Sequence, residues 1–87
     1  MTASEFNIKY NDYLEKGHYG LDIDVPSVVE YLDKVFQDLI HIPGFKYSQI
    51  KTKFNSVRFY STLKSGLDSA LESHIQNILN FYSKQAK

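Results

Sequence analysis

The 87 residues carry ten Lys and Arg against ten Asp and Glu, with three His, no Cys and no Trp. That length implies one domain, and one that buries only about 60% of its unfolded surface; the missing Cys excludes disulfides, thiolate nucleophiles and Cys-ligated zinc. The start Met1-Thr2-Ala3-Ser4-Glu5 lacks a signal-peptide pattern and no apolar run approaches the ~18 residues of a membrane span, so a cytoplasmic, non-membrane domain is expected.

Thr2 and Glu5 have capping-box spacing, and Phe6, Tyr10, Tyr13 and Leu14 recur on one helical face, which predicts a helix over about 3–16 closed by a left-handed Gly17. The stretch 18–24 reads as an ordered connection outside the main sheet. A second helix over about 26–41 follows, with Asp24 or Ser27 as its cap. Val28, Val29, Leu32, Val35, Phe36, Leu39 and Ile40 give it the strongest periodicity in the chain, and Pro43-Gly44 ends it.

From 46 to 63 the strand formers Tyr47, Ile50, Thr52, Phe54, Val57, Phe59 and Tyr60 flank Asn55-Ser56, a two-residue hairpin signal. That turn would pair Phe54 with Val57, Thr52 with Phe59, Ile50 with Ser61 and Ser48 with Leu63 on a buried side. Lys53 would face Arg58, Lys51 would face Tyr60 and Gln49 would face Thr62 on a solvated one. A last helix over about 67–84, capped by Ser65 or Asp68, presents Leu67, Leu71, His74 or Ile75, Ile78, Leu79 and Tyr82 inward. The expected fold is α+β, in the order α-α-β-β-α, with a two-stranded antiparallel hairpin packed against helices.

At Gln49-Ile50-Lys51-Thr52-Lys53-Phe54-Asn55-Ser56-Val57-Arg58-Phe59-Tyr60 the chain resembles small phage and prophage proteins with the motif Q-[IV]-K-E-K-F-G-G-L-R-F-Y. The matching positions are Gln49, Ile50, Lys51, Lys53, Phe54, Arg58, Phe59 and Tyr60. Asn55-Ser56 replaces the double glycine, and the C-terminal Cys-x-x-Cys element of many such proteins is missing. The resemblance covers about residues 25–80 and implies a phage or mobile-element origin, hence the cytoplasm of a bacterial host, but no activity.

Charge is polarised along the chain. Residues 1–38 hold eight acids and three bases, a net of −5. Residues 39–67 hold Lys46, Lys51, Lys53, Arg58 and Lys64 and no acid, a net of +5. Chemistry is sparse by contrast. His18, His41 and His74 share no ligand spacing, so no metal site is expected; Asp22 and Asp24 precede Val25-Pro26, which supplies no further calcium ligands; and Gly17 and Gly20 make no phosphate loop. No catalytic set and no cofactor are expected, so the chain reads as a non-enzyme.

Its expected binding residues are Lys46, Tyr47, Lys51, Lys53, Arg58 and Tyr60 on the outer face of the hairpin. Two partner classes follow. The first is a host or defence protein, bound and inhibited in the manner of an anti-CRISPR or anti-restriction factor. The alternative is nucleic acid, with phosphates on the cations and bases stacked on the tyrosines. A pI near 6.8 favours the first. Two blander readings stand beside them: cations that merely blunt exposed strand edges, and a homodimer formed through a free hairpin edge or the aromatic residues Phe6, Tyr10 and Tyr13.

Overall fold

A computed structural model describes residues 1–54, 56–62 and 67–85, with side chains as far as residue 81. Its elements are α1 (Ala3–Lys9), a 3-10 turn (Asn11–Tyr13), β1 (Gly20–Leu21), α2 (Pro26–Leu39), β2 (Tyr47–Lys53), β3 (Ser56–Ser61) and α3 (Leu67–Gln85). The fold is α+β. The sheet, however, has three strands in the order β1-β2-β3, β1 running parallel to β2 and β2 antiparallel to β3.

α1 begins as its sequence predicts. Thr2 Oγ1 accepts from the Glu5 N–H at 3.1 Å, and Glu5 Oε1 accepts from the Thr2 N–H at 2.9 Å. The helix stops at Lys9 rather than near 16. Asn11 and Asp12 favour turns over helix interior, and Leu14 is drawn into a parallel bridge with Tyr47. Gly17 is left-handed as expected, at φ 85°, but in the turn that follows and not as a helix cap.

The stretch 18–24 corrects the expectation most. Gly20 pairs with Gln49 and Leu21 with Ile50, so two of its residues form a sheet strand. Gly20 has φ 74°, and a Cβ there would collide with the Asn7 side chain, so glycine is required twice over. α2 also starts differently. Val25 is its N-cap, without a side-chain bond, and Pro26 occupies the first turn. Asp24 serves the other helix instead, its Oδ1 accepting from the Ala3 N–H of α1 at 2.9 Å.

The hairpin keeps the expected faces but shifts its pairing. Lys53 pairs with Ser56, Thr52 with Val57, Lys51 with Arg58, Ile50 with Phe59 and Gln49 with Tyr60. The turn positions are therefore 54 and 55, not 55 and 56. Phe54 sits there with φ 51°, 89% exposed, instead of inward against Val57. A bulge between Tyr47 and Gln49 leaves Ser48 as the extra residue, and Tyr47 rotates into the core in its place. The turn at 54–55 slips the pairing by two, which conserves parity, and the bulge alters only the pairing of Tyr47. The expected roles of Asn55, Leu63, Lys64, Ser65 and Tyr82 fall outside the described residues or side chains.

The core lies between the sheet and the helices. Phe36 of α2 is its hub, with ring centroids of Phe6, Tyr47, Tyr10 and Phe45 at 4.8, 5.0, 5.1 and 5.3 Å and Phe59 at 6.4 Å. Most of these contacts are edge-to-face, the arrangement aromatic quadrupoles favour. Phe6 and Tyr10 are thus core residues and Tyr13 packs against the core, so they form no free aromatic surface. From α3, Leu71 and Ile75 are buried while His74 is exposed, its ring 6.0 Å from that of Tyr31.

Helix side chains line β3 and the outer side of β1. Along β3 the Val57 N–H donates to Gln76 Oε1 at 3.1 Å, the Phe59 N–H to Glu72 Oε2 at 2.8 Å and the Ser61 hydroxyl to Asp68 Oδ1 at 2.8 Å. Four helical residues rise about 6 Å and two strand residues about 6.6 Å, so steps of four on α3 match steps of two on β3. At β1, the Asn7 amide accepts from the Leu21 N–H at 2.8 Å and donates to the Leu21 carbonyl at 3.0 Å, acting as one residue of a missing strand. The Tyr47 hydroxyl also donates to Asn7 Oδ1 at 3.0 Å, and burial pushes that hydroxyl up to about 12.

Candidate nucleic-acid interface

Strand alternation sends Ile50, Val57 and Phe59 toward the helices and Gln49, Lys51, Lys53, Ser56, Arg58 and Tyr60 to the opposite, open face. Lys51 lies directly across from Arg58. Like charges at such positions destabilise a sheet, and among the described residues no carboxylate comes within ion-pair distance of Lys51, Lys53 or Arg58. The described ion pairs lie elsewhere, Lys9 with Asp33 at 2.7 Å and His18 with Glu15 at 3.7 Å.

Of the six residues expected on this face, the structure brings Lys51, Lys53, Arg58 and Tyr60 together. Lys46 is exposed just before β2, where its backbone pairs with Thr62. Tyr47 is not on the face, because the Ser48 bulge turns it wholly inward. The paired register also differs, Arg58 facing Lys51 rather than Lys53, and Tyr60 facing Gln49 rather than Lys51.

Edge blunting accounts for part of these cations. Lys and Arg protect a sheet by blunting exposed edges; β3 is lined by α3 and β2 is flanked from Tyr47 to Ile50 by Leu14, Gly20 and Leu21, while the β2 edge from Lys51 to Lys53 has no described strand beside it. Arg58 is the cation that edge blunting does not explain.

An open depression of about 370 Å³ adjoins the cations, lined by His18, Ser48, Gln49, Lys51 and Tyr60. Sequence reasoning missed His18, Ser48 and Gln49 as lining residues, because the loop before β1 was expected to stand apart from the sheet. Tyr60 is 48% exposed there, with its ring available to solvent. Phe54 at the hairpin tip was also missed, and the Lys53 ammonium lies 5.7 Å from its ring centroid.

In the acidic half one carboxylate is tied into the fold. Asp33 accepts from Lys9 Nζ at 2.7 Å and from the Tyr10 hydroxyl at 2.6 Å, which hold its carboxyl below the usual carboxylate range. Burial, followed by the Asp33 bond, raises the Tyr10 hydroxyl. Among the described residues no cluster of three His, Asp or Glu could hold a metal ion, and no helix is long and apolar enough to cross a membrane. No family model matches the chain, and no curated protein or solved structure matches it.

Proposed function

We propose that the chain is a non-enzymatic accessory protein of phage or mobile-element type whose open sheet face binds nucleic acid. The observation that carries this is the cross-strand pair Lys51 and Arg58, with Lys53 beside them and Tyr60 half-exposed, none of the three cations in a described ion pair although exposed Asp22 follows β1 beside Lys51. A partner meets that local field, not the whole-chain balance.

A second reading is a host or defence protein, of the kind an anti-CRISPR or anti-restriction factor inhibits, bound through the same face. Phe54 favours it. An 89% exposed aromatic in a left-handed turn, where a non-glycine residue costs about 1–2 kcal/mol, resembles the apolar anchor of a protein interface hot spot.

Anisotropy titration of labelled oligonucleotides separates the two. Under the first reading affinity falls with salt by about −0.7 in log–log slope per phosphate contacted on a single strand, and Lys51→Glu with Arg58→Glu abolishes it. Absence of binding at low salt by the folded wild-type protein would remove the nucleic-acid reading.

A further inference from the structure

We infer that the depression beside β1 is a pocket for one unstacked base, which makes the sheet face selective for single-stranded over double-stranded nucleic acid. This rests on the nucleic-acid reading of the face and adds to it a ligand unit and a selectivity that the cations alone do not provide.

Size and lining chemistry point the same way. About 370 Å³ lies within the range of roughly 300–1,000 Å³ usual for small-ligand sites, too large for an ion and small enough for one aromatic ring system. Tyr60 supplies the stacking surface. Gln49 is its direct cross-strand partner, so an amide that both donates and accepts stands beside the ring, where the edge of a stacked base would project. The hydroxyl of Ser48, the bulge residue, is the other neutral polar group of the lining.

Charge orients the ligand. Glu15 lies 3.7 Å from His18, so the loop side of the depression carries a carboxylate and repels phosphate. Lys51 also lines the depression, with exposed Asp22 beside it after β1 and Arg58 across from it on β3, and Lys53 lies two residues on, about 6.6 Å nearer the hairpin tip and away from both carboxylates. The backbone of a bound strand therefore runs along Lys51, Arg58 and Lys53 while its base turns toward Tyr60 and Gln49. A duplex keeps its bases paired and stacked and offers this site only phosphates, whereas an unpaired base enters without an unstacking cost.

The test compares a labelled oligothymidylate with a labelled duplex of matching length at low salt, using the full chain. The single strand is expected to bind more tightly. Tyr60→Ala should weaken it by about 5- to 150-fold, the effect of losing one stacked base, while leaving the duplex affinity unchanged. Tyr60→Phe, which keeps the ring, should retain the preference, and Lys51→Glu with Arg58→Glu should abolish both interactions. Equal affinity for the two forms, with no effect of Tyr60→Ala, would overturn the base pocket and leave the phosphate-binding face intact. Binding of neither form would overturn both, and binding of polyglutamate alone would do the same in favour of an acidic protein partner.

Discussion

The two faces of the β2–β3 hairpin are built from alternate residues of the same strands, yet they obey different rules. On the inner face Tyr47, Ile50, Val57 and Phe59 are nearly or fully buried, and three of the four rings around Phe36 at 4.8 to 5.3 Å, those of Phe6, Tyr10 and Phe45, come from outside the sheet. On the outer face Lys51 opposes Arg58, and no described carboxylate forms an ion pair with either. Position by position, one side is chosen for stability and the other against it. Edge protection does not account for Arg58, because Gln76 and Glu72 already accept from the Val57 and Phe59 N–H groups on either side of it.

The largest expected effect breaks the inner face. Phe36→Ala empties the centre of the aromatic cluster and should cost about 3–5 kcal/mol, close to the whole stability of a domain this small, read as loss of a cooperative thermal or urea transition. An edge substitution comes next. Glu72→Ala leaves the Phe59 N–H without its acceptor and should cost about 1–3 kcal/mol, whereas Glu72→Gln keeps an acceptor oxygen and should cost less; urea midpoints compare them.

Acid gives a smaller, graded effect. The Lys9 and Tyr10 bonds favour ionised Asp33 in the folded state, so its contribution is full above the unfolded value near 3.9 and is lost as pH falls through the lower folded value. Asp33→Asn should flatten that part of the melting-temperature profile below about pH 4. The smallest change in stability belongs to the outer face. Arg58→Ala should shift it by no more than about 0.5 kcal/mol, and toward greater stability, because it relieves the repulsion with Lys51. A large destabilisation by Arg58→Ala would show that this residue has a structural duty after all.

Much of this contrast was legible in the sequence. The seven apolar positions of α2 and the period-two alternation of the strands assign the faces of Gln49 to Lys53 and Val57 to Tyr60 correctly, since parity survives a slip of two residues, but put Tyr47 and Phe54 on the wrong sides. Partner identity did not survive it, because nothing in Lys46-Tyr47-Ser48-Gln49 marks Ser48 as the bulge and Phe54 is an unusual residue for a left-handed turn position. β1 escaped because two residues cannot show a period. The edge seals escaped because Asn7 and Leu21, or Phe59 and Glu72, stand 14 and 13 positions apart and meet only after the chain has folded. Of the binding face, three cations and Tyr60 were readable, but the depression required the loop carrying His18 to be placed beside β2.

The most direct test of the account is an amide-resolved NMR titration of the full chain with an unlabelled oligothymidylate at low salt. Shifts concentrated at Gln49, Lys51, Lys53, Arg58 and Tyr60, with His18 beside them and the exposed face of α2 unmoved, are the predicted result. Shifts centred on the acidic helices, or none at all from a protein that remains folded, would contradict it.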